Sequence, residues 1–171
     1  SILSSNSIVQ VLKSYNIHGK VKWPNDVLVN SKKISGVLSE AVFKKNKSKS
    51  IVIGVGINVN CNKHDFHIDN FQYRLEPTSV FIESGDIVSR EDLIASFLDF
   101  FYFWISEFKS KNYKRIVDFW KSNWDDIGRD VSFIHEGEET SGKIIDINQK
   151  GELIVEVLNQ LKIISSGEIT V

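Results

Sequence analysis

Hydrophobic positions in the first third of the chain change from helical spacing to strand-like runs. Ile8, Val11, Leu12 and Tyr15 share one face of a helix, and Gly19 follows as a stop. Segments rich in β-branched residues come next, and Asn30-Ser31 supplies a turn between two of them. The pattern predicts a helix and then a meander of four strands, at 21–23, 27–29, 34–43 and 51–59.

The middle of the chain returns to helical spacing after a polar loop. Ser89 followed by Asp92 has the pattern of a capping box, which opens an aromatic helix that ends near Phe108. Its most apolar run, 93–105, is too short to span a bilayer and contains Asp99, so we predict a buried helix and no membrane segment. A second helix follows, with Gly128 after it, and its apolar stripe consists of Tyr113, Ile116, Val117, Trp120 and Trp124.

The last part of the chain reads as short strands separated by turns. The predicted strands are 131–134, 141–147, 153–157 and 161–164. The whole pattern predicts an α+β fold, in which a mixed or antiparallel sheet with flanking helices is followed by a small all-β barrel. We place the domain boundary between 1–125 and 126–171 and expect the first sheet to be incomplete.

Composition limits the classes of partner and compartment. The 171 residues have a formal net charge of -1, with lysines spread along the chain, so no sustained basic surface is available for nucleic acid. Cys61 is the single cysteine, which excludes an intramolecular disulfide and fits a reducing compartment such as the cytoplasm. Ser1 is not a start methionine, and we expect the natural protein to begin upstream.

Two short motifs in the meander are candidates for binding chemistry. In "WPND", Pro24 restricts Trp23 and the following Asn25 and Asp26 can bend the backbone, so a simple tight turn is the alternative. Lys33 taken alone is most simply a solvated charge. However, Gly36 lies three residues later and removes a side chain where a ligand could approach, and a negatively charged ligand would suit Lys33.

The run "IVIGVGINVN" places Gly54, Gly56 and Asn58 on one face of a strand. Two glycines at this spacing predict a backbone surface kept open for a flat ligand, while close packing within the sheet remains an alternative. A dinucleotide-binding loop is excluded, because Val59 occupies the third glycine position and a polar loop follows instead of a helix.

A cluster of potential metal ligands occurs in the polar loop. Its members are Cys61, His64, Asp65, His67 and Asp69. Their spacing matches no zinc template, so we expect an ordinary solvated loop and no intrinsic metal site.

Several motifs together resemble the biotin protein ligases, also called biotin–[acetyl-CoA-carboxylase] ligases. They are "KWPND" at 22–26, "KISG" at 33–36 and "GVGINVN" at 54–60, supported by "EPTSVF" at 76–81 and the terminal "SGEITV". Their order and intervals extend the resemblance over essentially the whole chain. Such enzymes join biotin and ATP-Mg²⁺ to form biotinyl-5'-adenylate, and then pass biotin to a lysine of a biotin carboxyl carrier protein.

The resemblance implies a role for each motif. Lys33 would hold the biotin carboxylate and then the phosphoryl oxygens, and Asp26 would face the incoming carrier lysine. Asn25 and Asn58 would bind nucleotide phosphate or its magnesium shell. Gly36, Gly54 and Gly56 would line the flat biotin rings. The hairpin would hold the two charges at a fixed separation around the mixed anhydride.

One feature of the family is not found in the sequence. Biotin ligases carry a Gly/Arg-rich loop upstream of the first helix, with strands that complete the biotin pocket, whereas the Gly-Arg step here is Gly128-Arg129. We therefore expect this chain alone to be catalytically incomplete. The alternatives are a non-catalytic module that binds a carrier protein and a lipoate ligase-like adenylating enzyme. Exposed strand edges would serve carrier docking or a homodimer.

Overall fold

The computed structural model describes residues 1–44, 47–67, 72–135, 138–165, 167 and 169–170. It confirms the predicted α+β class, with two antiparallel sheets and few helices. The elements are α1 Ile2–Ser14, β1 Lys20–Lys22, β2 Asp26–Val29, β3 Lys32–Lys44, β4 Lys47–Ile57, a 3-10 helix Lys63–Phe66, α2 Val80–Ser84, α3 Arg90–Lys109, α4 Tyr113–Ser122, β5 Asp130–His135, β6 Glu138–Ile147, β7 Leu153–Val157, β8 Gln160–Ile164 and β9 Ile169–Thr170.

The first sheet is the predicted meander. Its strands lie in the order β1-β2-β3-β4, and each neighbouring pair is antiparallel. Asn30 and Ser31 form the turn between β2 and β3 with φ values of 50° and 64°. Positive φ at both turn residues matches the right-handed twist of the flanking strands, which is why a short hairpin forms at this position.

The second sheet contains the remaining strands, in the order β8-β7-β6-β5-β9. The turn between β7 and β8 again uses two residues with positive φ, Leu158 at 49° and Asn159 at 62°. Buried residues alternate along β7, as expected for a strand with one face on a core.

One hydrophobic core extends from α1 through the first sheet into the second. It includes Leu12 of α1, Val27 of β2, Trp120 of α4 and Leu153 of β7. The indole of Trp23, in the turn before β2, donates a hydrogen bond to the carbonyl of Gly151 at 3.0 Å. The two sheets are thus packed together beside the turn that contains "WPND".

The prediction that α3 is a buried helix is wrong. Only Leu93 and Trp104 are buried in it, whereas Leu98 and Tyr102 are mostly exposed. The helix packs one face on α1 and α4, and apolar residues also occupy the opposite face, which the described part of the chain does not cover. Within that part, no helix has an apolar stretch sufficient to cross a membrane.

Candidate functional site

A β-bulge brings the two predicted site charges to the same face of the first sheet. Asp26 pairs with Gly36 and Leu28 with Lys33, so the register shifts by one residue between them. Side chains of directly paired residues point to the same face, and the shift therefore turns Lys33 toward the face of Asp26. Without the bulge, the alternation of β3 would place Lys33 on the face opposite Gly36.

The backbone of Lys33 is fixed by the segment that precedes α2. Its amide donates to the carbonyl of Glu76 at 2.8 Å, and its carbonyl accepts from the amide of Thr78 at 2.9 Å. The neighbouring Lys32 side chain forms an ion pair with Glu76 at 2.7 Å and does not contact Asp26. The "EPTSVF" motif therefore positions the strand from which Lys33 extends.

Lys33 and Asp26 are in direct contact. The Lys33 ammonium lies 2.6 Å from Oδ1 of Asp26, with the two side chains 41% and 16% exposed. The two atoms are close enough for an ion pair, but their angles do not fit a hydrogen bond. Oδ1 of Asp26 is buried and accepts no hydrogen bond from the described residues. The two charges contact each other directly, and their predicted arrangement around a mixed anhydride stays a prediction.

Gly36 makes room for this ion pair. A Cβ atom at that position would lie 3.2 Å from Oδ1 of Asp26 and 3.2 Å from Nζ of Lys33. Gly54 and Gly56 differ, because a Cβ there would meet its nearest neighbours at 3.8 and 3.9 Å, which are ordinary contacts. Close packing within the described sheet therefore does not account for Gly54 and Gly56, and their face is open.

Two adjoining depressions meet at the ion pair. The first is a shallow groove over β3 and β4, lined by Asn25, Asp26, Lys33, Gly36, Val37, Leu38, Gly54, Val55 and Gly56. The second is a deeper cleft of about 240 Å³, lined by Lys22, Trp23, Pro24, Asn25, Asp26, Lys33, Tyr73, Arg74, Leu75 and Ile169. We call them the glycine groove and the cationic cleft.

The two predicted asparagines have structural hydrogen bonds. Asn25 Nδ2 donates to the carbonyl of Val37 at 2.8 Å, which holds the "WPND" turn against β3. Asn58 Nδ2 donates to the carbonyl of Thr78 at 2.9 Å and so links the end of β4 to the "EPTSVF" segment. Asn25 lines both depressions, whereas Asn58 is not among the described residues that line either.

Sequence reasoning missed the cations that share the cleft with Lys33. Burial lowers the pKa of Lys22, and the nearby Asp126 carboxylate opposes that shift. Arg74 donates to the carbonyl of Ile169 at 2.9 Å and to Oγ1 of Thr170 at 2.8 Å, so it links the cleft to β9. Lys22 opens "KWPND" and could have been found there, but nothing in the sequence pairs Arg74 with the last strand.

The loop rich in cysteine and histidine forms a short capped turn. Asn62 caps the 3-10 helix and the Asp65 carboxylate accepts from the amide of Asn62 at 2.7 Å. Among the described residues, no three His, Cys, Asp or Glu side chains come close enough together to hold a metal. Asp69, the last member of the predicted cluster, lies outside the described residues.

Zinc followed by a chelator is expected to leave the melting temperature unchanged. A metal bound only to the folded state would stabilise it by mass action, and chelation would reverse that gain. The measurement is thermal unfolding with and without zinc. A zinc-dependent rise that the chelator removes would show that the folded chain binds zinc and would contradict this prediction.

Comparisons with known proteins match both parts of the chain. Residues 2–58 match the Biotin/lipoate A/B protein ligase family, and residues 126–171 match the Biotin protein ligase C terminal domain. The bifunctional ligase/repressor BirA of Bacillus spizizenii is 29% identical over 170 residues, covering 99% of this chain and 51% of that protein. BirA of Bacillus subtilis is 28% identical over the same shares. The chain spans about half the length of these curated relatives.

Solved structures match over nearly the whole chain as well. The apo biotin protein ligase of Aquifex aeolicus is 26% identical with a TM-score of 0.81, over 99% of this chain and 72% of that one. The Aquifex aeolicus enzyme in complex with biotin and ATP matches with a TM-score of 0.80, over 99% and 68%. The two family matches and the shared fold agree with the resemblance of the motifs, and the chain belongs to the biotin protein ligase family.

Proposed function

We propose that the protein to which this chain belongs activates biotin with ATP to biotinyl-5'-AMP and transfers the biotin to a lysine of a biotin carboxyl carrier protein. The observation that carries the proposal is the position of Lys33 and Asp26, where the glycine groove meets the cationic cleft. A reaction that joins a carboxylate to a nucleotide phosphate needs its charges neutralised at such a junction.

The glycine groove is the proposed biotin site. Gly54 and Gly56 leave open backbone on which a fused ring system could lie, bordered by Leu38 and by the Lys33–Asp26 pair that Gly36 accommodates. Lys33 is at the end of this surface, and its compact ammonium suits a carboxylate that later becomes part of an anhydride. Solved Aquifex aeolicus relatives in complex with biotin support this choice of ligand.

The cationic cleft is the proposed nucleotide site. Lys22, Lys33 and Arg74 supply positive charge toward phosphates. The amide oxygen of Asn25 could bind a hard cation while its Nδ2 donates to the carbonyl of Val37. Magnesium, when bound with ATP, would neutralise phosphate charge. The resemblance implies that Asn58 binds nucleotide phosphate or its magnesium shell. Asn58 would also help to position Lys33, because it donates to the carbonyl of Thr78 in the segment that fixes the Lys33 backbone.

The proposed chemistry has two steps. In the first, a carboxylate oxygen of biotin attacks the α-phosphorus of ATP and pyrophosphate leaves, while Lys33 stabilises the charge that accumulates between them. In the second, the carrier lysine loses a proton and its amine attacks the anhydride carbonyl, so an amide forms and AMP leaves. Asp26 is the proposed group that orients the carrier ammonium and promotes its deprotonation.

We further propose that 1–125 form part of the catalytic domain and that 126–171 form a small C-terminal β-barrel domain. Trp23 and Arg74 attach this second domain to the cleft through Gly151 and Ile169. We expect the protein to act in the cytoplasm and to contact no nucleic acid through this chain, in line with its balanced charge. We also expect turnover to need polypeptide outside this chain.

The test compares the 171-residue chain with the longest product of its reading frame. The expected result is biotin-dependent pyrophosphate release and labelling of a biotin carboxyl carrier domain by the longer protein, with little turnover by the shorter one. Labelling with lipoate in place of biotin would favour the lipoate ligase alternative, which the shared family model also covers. Binding of the carrier without any adenylate formation would favour a non-catalytic module.

A further inference from the structure

Arg74 connects the strand β9 to the wall of the cationic cleft. Its Nη2 nitrogen donates to the carbonyl of Ile169 at 2.9 Å and to Oγ1 of Thr170 at 2.8 Å, and these are the two residues of β9. Arg74 and Ile169 both line the cleft. A single guanidinium therefore takes part in two structures, the attachment of β9 and the proposed nucleotide site.

The segment that carries Arg74 is itself fixed to the first sheet. Two residues after Arg74, the carbonyl of Glu76 accepts from the Lys33 amide, and Thr78 donates back to the Lys33 carbonyl. Pro77 forms a β-bridge with Lys33 between these two bonds. The first sheet therefore anchors the segment from which the Arg74 side chain extends to β9.

β9 is a short strand with one neighbouring strand in the described part of the sheet. It lies at the end of the second sheet and pairs with β5 at Ser132 and Phe133. Ile169 is 3% exposed, whereas Thr170 is exposed. A short strand at a sheet edge opens more readily than the interior strands. The two hydrogen bonds from Arg74 are therefore a substantial part of what holds β9 beside the cleft.

The charges in the cleft favour an anion near Arg74 and Lys22. Burial is the main cause that lowers the pKa of Lys22, the Asp126 carboxylate opposes this shift, and the Arg74 charge adds to it. The two cations therefore repel each other, and a bound phosphate would attract both. Such a phosphate would also hold the Arg74 guanidinium in the position from which it binds β9.

We propose that Arg74 couples nucleotide binding in the cationic cleft to the attachment of β9. Phosphate bound to the guanidinium orders the Arg74 side chain, and the ordered side chain holds β9 against the wall of the cleft. Such coupling is reciprocal, so attached β9 strengthens nucleotide binding by the same factor by which nucleotide stabilises the attachment. The inference rests on the proposed function, because the cleft must bind nucleotide for the coupling to exist.

Amide hydrogen exchange of β9 measures the coupling directly. The longest product of the reading frame is compared with and without α,β-methylene ATP and Mg²⁺, with biotin always present, so that no pyrophosphate can leave. We expect the analogue to slow exchange of the peptide that contains Ile169 and Thr170 by about fivefold or more, the lower range of coupling between sites. In Arg74→Ala, exchange should be faster without the analogue and should respond little to it.

Thr170→Val tests whether Arg74 acts through β9. The substitution removes the Oγ1 acceptor, and Thr170 is not among the described residues that line the cleft. We expect the KM for ATP in pyrophosphate release to rise about threefold, and about tenfold or more in Arg74→Ala, which loses both hydrogen bonds and the charge. The KM for biotin should change little in either variant, because neither residue is among those described as lining the glycine groove.

Thr140→Val is the matched control for the strand. Thr140 lies on β6 and pairs with Phe133 on the side of β5 opposite to β9, so the same chemical change is made away from the cleft. Its KM for ATP should equal that of the parent. Circular dichroism and the melting temperature of all three variants check the fold, and a general loss of folding would affect ATP and biotin together.

Two results would overturn the coupling alone. One is a parent protein that releases pyrophosphate but shows the same β9 exchange with saturating analogue as without it. The other is a KM for ATP that rises in Arg74→Ala but not in Thr170→Val, which would make Arg74 a charge in the cleft with no role for β9. A parent protein that neither binds the analogue nor releases pyrophosphate would reject the proposed function and the coupling together.

Discussion

Replacing Lys33 with alanine is expected to slow adenylate formation by about two to four powers of ten. The side chain would make about two charge-assisted contacts that strengthen in the transition state, each contributing roughly 1.5–3 kcal/mol. The bulge in the β2–β3 pairing supplies the geometry, because it directs the Lys33 ammonium to the point where the glycine groove meets the cationic cleft. The measurement is biotin-dependent pyrophosphate release by the longest product of the reading frame.

Lys32→Ala is the matched control for this prediction. Lys32 is the adjacent lysine on the same strand, but its ammonium binds the exposed Glu76 carboxylate and takes no part in the site. We expect its loss to change the rate little, since an exposed ion pair contributes little. Comparable losses at both positions would show that positive charge on this strand matters in general and that the assignment to Lys33 is wrong.

The melting temperature separates catalysis from folding in the Lys33 variant. Removing the ammonium leaves the Asp26 carboxylate, only 16% exposed, without its ion-pair partner, and some loss of stability follows. Lys33→Ala combined with Asp26→Asn removes both charges and should recover part of that stability without recovering the rate. Recovery of the rate together with stability would mean that Lys33 acts only through the fold.

Local patterns in the sequence were enough to predict most of the fold. Strand alternation and the Asn30-Ser31 turn gave the meander, and Ser89 was the helix cap that its spacing with Asp92 suggested. The error at α3 has a different origin, because a run that is apolar on every side gives no indication of which side is covered. Leu98 and Leu93 are the same residue type in one helix, and only tertiary packing separates the exposed one from the buried one.

The site was predictable where it rested on motifs and unpredictable where it rested on register. Lys33 and Asp26 could be selected from the sequence. Their contact at 2.6 Å, however, depends on a bulge between Val27 and Leu28, and the residue types there do not predict a bulge. Arg74 was missed for a related reason. Its partners in β9 are far away in the sequence, and neither end of the contact carries a local signal.

Replacing Asp26 with asparagine is expected to slow biotin transfer by about two to four powers of ten while adenylate formation changes by about tenfold or less. Asparagine keeps the shape of the side chain, so its Oδ1 can still accept a contact from Lys33 and hold that ammonium in place. The first step brings only anions to Lys33, which no longer shares its charge with a carboxylate. The second step brings an ammonium that must be oriented and must lose a proton, and only the carboxylate of Asp26 favours both.

The direct contact between Lys33 and Asp26 supports an alternative, in which Asp26 acts mainly by positioning Lys33. If the main role of Asp26 is to position Lys33, its contact at 2.6 Å, then both half-reactions should fall together. The reason is that the proposed role of Lys33 covers the nucleotide in the first and the anhydride in the second. Pyrophosphate release measures the first step, and transfer of labelled biotin from preformed adenylate to the carrier domain measures the second. Asp65→Asn is the control, since that carboxylate caps the 3-10 helix at Asn62 and lines neither the glycine groove nor the cationic cleft among the described residues. Equal losses in the two steps for Asp26→Asn would rule out the transfer-selective role and leave Asp26 as a positioning residue for Lys33.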